Sequence, residues 1–226
     1  MKQGPPVPSD FELLTSNFNT IIITLDGPAA AGKSTVARLL ARRLGLRFLD
    51  TGAMYRAVAL KARRLGLAAP KEIADLIART AICVEEGRVT CDGEDVTEAI
   101  RRPEVTAAVK PIADSPDCRA ELVRKQREVA ALGGLVTEGR DQGSVVFPDA
   151  AFKFYLDAAL EVRAKRRQAE SGGDLEELRR SIERRDAEDR ARPVGALVRP
   201  EGSLGIDTSG LTVGEVVDRI LAAIGV

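Results

Sequence analysis

The sequence predicts an α/β fold with a mostly parallel sheet flanked by helices, and three observations carry that prediction. Short apolar runs alternate with longer segments of helical period along a chain of 226 residues, the order that builds parallel sheets. The first run, Ile21-Ile22-Ile23-Thr24-Leu25-Asp26, is apolar on both faces, as a strand inside such a sheet must be. Directly behind it stands Gly27-Pro28-Ala29-Ala30-Ala31-Gly32-Lys33-Ser34 and then a helical pattern, so strand, glycine loop and helix follow without a gap.

The elements follow in order. Residues 1–19 carry Gly4, Pro5, Pro6 and Pro8 among polar residues, which predicts a flexible extension ahead of a domain at 20–226. Val36, Leu39, Leu40 and Leu44 give a helix over Lys33–Leu44, closed by Gly45. A strand is expected at Arg47–Asp50, a helix at Ala53–Leu65 ended by Gly66, and a short helix at 71–79. Ile82, Val84, Val89 and Val96, with turns at Glu86-Gly87 and Asp92-Gly93, predict a small inserted β-hairpin region at 81–96. Helices are expected at 97–113 and 116–132, and strands at Leu135–Thr137 and Phe152–Leu156. A charged helical stretch at 159–192 is broken by Ser171-Gly172-Gly173, and a strand at Leu204–Asp207 precedes a closing amphipathic helix at Leu211–Ile224.

Composition narrows the function. The chain has 34 basic and 34 acidic residues, a balance that argues against a general nucleic-acid or membrane-surface binder. Cys83, Cys91 and Cys118 lack CxxC spacing and read as reduced structural thiols. There is no histidine, which removes the commonest general base and metal ligand. With no run of membrane-spanning length and no signal-peptide h-region, the expectation is a soluble cytoplasmic protein.

Residues 27–34 match G-x-x-x-x-G-K-[ST], the phosphate-binding P-loop. Such a loop turns successive backbone N–H groups around a phosphate, over a helix N-terminus. Lys33 can reach the outer phosphates, and the Ser34 hydroxyl can complete a Mg²⁺ shell. The motif alone admits a kinase, a GTPase, a motor or a transport ATPase. There is no Asn-Lys-x-Asp guanine motif, and no long apolar strand ending in Asp or Asp-Glu reads as a strong Walker B.

Arginines recur instead where strands end. Arg56 follows Asp50-Thr51-Gly52-Ala53-Met54-Tyr55, Arg140 stands in Glu138-Gly139-Arg140-Asp141, and Arg185, Arg190 and Arg192 crowd a helix end before Pro193. Ligands of open α/β sheets bind beyond the carboxyl ends of the strands. Converging guanidiniums there suit a second phosphate-bearing substrate. Asp50 has a second reading as only a helix cap, and Tyr55 reads equally as core. A nucleoside monophosphate is mostly dianionic near neutral pH and attacks without a general base, in keeping with a chain that lacks histidine.

With those residues assembled, the chain resembles the bacterial cytidylate kinase family of the nucleoside monophosphate kinase group, from about Thr20 to the C-terminus. The carriers are Asp26 to Thr35, Leu49-Asp-Thr-Gly-Ala-Met-Tyr-Arg56, Glu138 to Ala150, and Ile206-Asp-Thr-Ser209. The resemblance implies a P-loop kinase with an inserted monophosphate-side domain at about 63–103 and a mobile helical lid at about 168–194. It implies ATP at Gly27, Pro28, Ala29, Ala30, Ala31, Gly32, Lys33, Ser34 and Thr35, with Mg²⁺ on the Ser34 hydroxyl. It implies CMP or dCMP at Thr51, Tyr55, Arg56, Arg119, Arg140, Asp141, Arg185 and Asp189. Lys33, Arg140, Arg185 and Arg192 would act on the transferring phosphate, in a monomer.

Arg119 and Asp141 map to the cytosine readers, which suits the chemistry: a carboxylate accepts from the exocyclic amine, and arginine donates to the ring acceptors. Three positions depart from the pattern: Lys110 stands where a serine near the base is usual, Glu138 replaces an Asp, and Gly195-Ala196-Leu197 replaces Pro-Leu. Still open are another P-loop small-molecule kinase of shikimate or adenylate type, a nucleotide-switched module and a nucleic-acid-binding ATPase.

Overall fold

The computed structural model describes residues 20–85 and 87–226; the extension expected at 1–19 lies outside them. Along the chain come β1 (Ile22–Asp26), α1 (Lys33–Leu44), β2 (Arg47–Asp50), α2 (Thr51–Arg64), α3 (Pro70–Arg79), β3 (Ile82–Glu85), β4 (Arg88–Cys91) and β5 (Glu94–Asp95). A 3₁₀ turn at Ala99–Arg101 leads into α4 (Pro103–Ala107), α5 (Val109–Asp114) and α6 (Pro116–Ala130). Then follow β6 (Leu135–Gly139), a π-helical turn at Gln142–Val146, β7 (Phe152–Asp157), α7 (Leu160–Ser171), α8 (Leu175–Arg190), β8 (Leu204–Asp207) and α9 (Val213–Ile224).

The run at 21–25 is apolar but for Thr24 because it becomes the middle strand. β1 pairs in parallel with β6 on one side and β7 on the other, in a sheet ordered β2-β6-β1-β7-β8. Ile23 and Leu25 pack under Val36 and Leu40 of α1 and Val217 and Ile220 of α9. The opposite face is covered by α2, α3 and α6. The inserted segment shares that core, since Ile77, Val89 and Cys91 belong to one apolar cluster with Leu49, Leu122 and Leu135. Cys91 and Cys118 are buried, Cys83 is exposed, and all three are free thiols.

Boundaries shift for local reasons. α2 starts at Thr51 rather than Ala53, because the Asp50 carboxylate accepts the Ala53 N–H at 2.8 Å and caps the helix. The helix expected over 97–113 is broken into a 3₁₀ turn and two short helices. Arg102 precedes Pro103 and is held extended at φ −61°, ψ 141°, as a residue before proline is. β6 runs two residues past Thr137, paired with β1 up to Gly139. α9 begins after a Thr212–Glu215 capping box rather than at Leu211. The hairpin region is a three-stranded antiparallel sheet, β3-β4-β5. Gly27, at φ 147°, passes so close to β7 that a Cβ would strike the Leu156 carbonyl oxygen.

Candidate active site

A cavity of about 210 Å³ opens at the carboxyl ends of β1, β2 and β6. Its donor-side wall is the P-loop, contributing Ala29, Ala30, Lys33 and Ser34. Gly27, Pro28, Ala31, Gly32 and Thr35 complete the loop without lining this cavity. Gly32 takes φ 86° ahead of α1, and Ala30 takes φ 58°, the left-handed region that only glycine enters freely. The Lys33 ammonium folds back onto the Pro28 carbonyl at 2.7 Å. The Thr208 hydroxyl donates to the Ala31 carbonyl at 3.2 Å from the loop after β8.

The facing wall gathers every acceptor-side residue expected from the sequence: Thr51, Tyr55, Arg56, Arg119, Arg140, Asp141, Arg185, Asp189 and Arg192. They come from α2, α6, the β6 loop, α8 and the turn behind it, elements far apart in the chain. Arg119 and Asp141 form a buried ion pair, and Arg119 also donates to the Tyr55 hydroxyl at 3.2 Å. Asp189 is gripped by Arg140 at 2.7 Å and by Arg192 at 2.5 Å. Arg56 pairs with the capping carboxylate of Asp50 at 3.3 Å. The departure at Gly195 has a steric reason: at φ 69° the chain lies against the Arg119–Asp141 pair, where a Cβ would collide with both side chains.

Asp26 ties the two walls together. Its carboxylate ends β1, just before the P-loop, and accepts the Gln142 and Gly143 N–H groups at 2.8 and 2.7 Å. The loop that carries Arg140 and Asp141 is thereby fixed to the strand that carries the phosphate loop. Burial pushes Asp26 up to about 7, against the pull of those two N–H groups.

Lys33 moves the opposite way. Burial, reinforced by the Arg140 charge, lowers it to about 7, and burial raises its neighbour Glu138. Asp141 is likewise raised by burial against the attraction of Arg119. Burial works to raise Asp189 too, but Arg140 and Arg192 outweigh it and hold it below the ordinary carboxylate value. If a polyphosphate binds at Lys33, as the P-loop motif implies, its charge favours the protonated form. ATP binding at pH 8 is therefore expected to take up a proton, and to weaken as pH rises above about 7. Calorimetry in buffers of different ionisation enthalpy reads this directly; binding with no uptake in wild type refutes it.

Two residues take places that the sequence did not show. Glu138, noted in the sequence only as a departure from the family's Asp, lies against the P-loop. β6 lies directly beside β1, and Ser34 Oγ donates to Glu138 Oε1 at 2.7 Å. Only Leu135-Val136-Thr137 precedes it, too short an apolar run to stand out; the usable signal was the acidic residue opening Glu-Gly-Arg-Asp. Lys110 turns away from the cavity into an exposed ion pair with Asp114 at 2.6 Å, and the wall at that place is made by Thr106, Val109 and Ala113.

The family model described as cytidylate kinase matches residues 23–225. A cytidylate kinase of Desulfitobacterium hafniense is 48% identical, covering 88% of this chain and 90% of that one. A cytidylate kinase of Caldanaerobacter subterraneus is 45% identical, covering 91% and 95%. Among solved structures, a shikimate kinase from Acinetobacter baumannii in complex with shikimate superposes with a TM-score of 0.50 at 19% identity, covering 93% of this chain and 96% of that one, which speaks to the fold alone. A phosphate loop facing an arginine-lined wall, in a chain matched almost end to end by that model and by relatives at these identities, makes this protein a member of the cytidylate kinase family, an enzyme of the P-loop kinase fold.

Proposed function

We propose that the protein transfers the γ-phosphoryl group of ATP to CMP and dCMP, giving ADP with CDP or dCDP, in pyrimidine nucleotide metabolism. The observation that carries this reading is the buried Arg119–Asp141 pair sharing one cavity with the P-loop. A carboxylate offers only acceptors and a guanidinium only donors. Cytosine matches the pair, with an amine for Asp141 and ring acceptors for Arg119. Uracil turns a carbonyl oxygen toward Asp141 and is disfavoured.

An oxygen of the CMP phosphate attacks the γ-phosphorus in line, and the bond to the β–γ bridging oxygen breaks as ADP leaves. The attacking oxygen is already ionised, so no side chain has to remove a proton. Lys33 and Ser34 hold the donor phosphates, with the backbone of Gly27–Thr35 cradling them. Arg56 and Arg140 hold the acceptor phosphate. Arg185 and Arg192 come over the transferring group from α8 and its exit turn, where segment 168–194 acts as the lid that excludes water. Thr51, Tyr55 and Asp189 keep this arginine set aligned.

The donor set fits Mg²⁺. The Ser34 hydroxyl and the Glu138 carboxylate are hard oxygen donors 2.7 Å apart, and among the described residues no cluster of three His, Cys, Asp or Glu forms a closed metal cage. Mg²⁺ is commonly held so, by one or two protein oxygens plus substrate phosphates. When bound, it neutralises charge on the phosphate oxygens.

Among the described residues no helix is long and apolar enough to cross a membrane, in keeping with a cytoplasmic enzyme. A coupled ADP-release assay across CMP, dCMP, UMP, AMP, GMP and shikimate tests the reading. CMP and dCMP are expected to exceed the others in kcat/KM by about 100-fold or more, given a buried polar mismatch with each competitor. A flat profile, or a preference for AMP or shikimate, overturns it.

A further inference from the structure

The C-terminal half of α8 shows two faces with different duties. Arg185 and Asp189, four residues apart, face the cavity. Ile182 and Asp186, also four apart, turn to the neighbouring side and pack on the P-loop. Asp186 is 1% exposed, and one carboxylate oxygen accepts the Ala29 N–H at 3.0 Å. Its other oxygen pairs with Arg163 of α7, and Arg163 donates to the Ala29 carbonyl at 3.1 Å. Ala29 is thus held at both of its backbone polar groups by one buried ion pair, and apolar contacts with Ala164 and Ile182 back it.

The residue after Ala29 explains what such a grip does. Ala30 sits at φ 58°, a conformation that is unfavourable for a residue with a Cβ and persists only where the surroundings over-determine it. We propose that Arg163 and Asp186 are positioning residues that hold the P-loop in its phosphate-receiving shape, so that they set ATP affinity without touching ATP. This inference rests on ATP binding at the P-loop.

Isothermal titration of the full chain with ATP, and separately with CMP, tests it. The informative variant is the double substitution Arg163→Met/Asp186→Leu, which removes both charges together and leaves neither buried alone. With its thermal midpoint near wild type, its ATP Kd is expected to rise about tenfold or more, the size of one relaxed backbone strain, while its CMP Kd stays within about twofold. Adding Ala30→Gly, which takes positive φ without steric penalty, is expected to bring the ATP Kd back toward wild type. If the double variant does not fold, Asp186→Asn is read by the same criteria.

An ATP Kd within twofold of wild type in a folded variant overturns the inference. So does a loss shared equally by ATP and CMP, or one that Ala30→Gly leaves untouched. A wild-type chain that binds no ATP removes the proposed function and this inference with it. A wild-type chain that binds ATP, beside variants that bind it equally well, removes this inference alone.

Discussion

Replacing Lys33 with alanine is expected to lower kcat by about 10³-fold or more while leaving the fold intact, because a single cation brought to a transferring phosphoryl group in a water-poor site, the role proposed for Lys33, carries that much. Lys33 is 5% exposed, and its ammonium donates to the P-loop carbonyl of Pro28 at 2.7 Å. Burial and the Arg140 charge lower its pKa to about 7. A lysine whose folded pKa lies below its unfolded value opposes folding wherever it must be charged. That penalty is fully present below pH 7 and fades as pH climbs toward the unfolded pKa of about 10.4. Removing it therefore leaves the thermal midpoint at or above wild type at neutral pH. Single-turnover kinetics beside a thermal melt separate the two effects; near-normal turnover in a folded variant would sink the phosphate-site assignment.

The second large effect is expected at Asp141. Asp141→Ala removes the acceptor proposed for the cytosine amine and should cut kcat/KM for CMP by about 10³-fold, while the ATP Kd changes by less than about threefold. It also strands Arg119, which is 3% exposed, and a buried charge left without its partner destabilises a fold by about 3–5 kcal/mol. Asp141→Asn avoids that and asks a sharper question. The amide oxygen still accepts from Arg119, and the new NH₂ can donate to a uracil carbonyl. The CMP-to-UMP ratio of kcat/KM is therefore expected to fall by about tenfold or more, the range of one buried hydrogen-bond mismatch. Steady-state assays on both nucleotides check this, and an unchanged ratio would remove Asp141 from base reading.

How much of this was legible in the sequence depends on how local each signal is. The P-loop was legible outright, because a loop that wraps a phosphate has its geometry written into consecutive residues: Gly27 against the Leu156 carbonyl, Gly32 at positive φ, Lys33 and Ser34 opening a helix. The central strand was legible for a similar reason, since a strand covered on both faces has no polar side to show. Breaks at Pro103 were less so: helical composition across 97–113 favours one helix, and the constraint on Arg102 acts only through its neighbour's ring.

Glu138 and Lys110 went the other way. Each is judged by what lies opposite it, and sequence carries no record of that. Glu138 gains its place because β6 pairs directly with β1, which puts its carboxylate on Ser34, 104 positions away in the chain. Lys110 loses the cavity because α5 presents Val109 and Ala113 to it and pairs Lys110 with Asp114 outside. The grip of Arg163 and Asp186 on Ala29 was invisible for the same reason: both stand in a charged helical stretch that reads as a solvated surface.

The sequence by itself determined the phosphate loop, the alternation that makes a parallel sheet, and the set of arginines available at strand ends, because each follows from residues adjacent in the chain. The tertiary structure alone decided which carboxylate partners each cation, that Asp26 ties the loop of Asp141 to the P-loop strand, and that Asp186 faces the P-loop rather than water. Those outcomes depend on strand order and helix rotation. Both are set by how the apolar faces pack, so the polar pairs they create between distant residues exist only once that packing is complete.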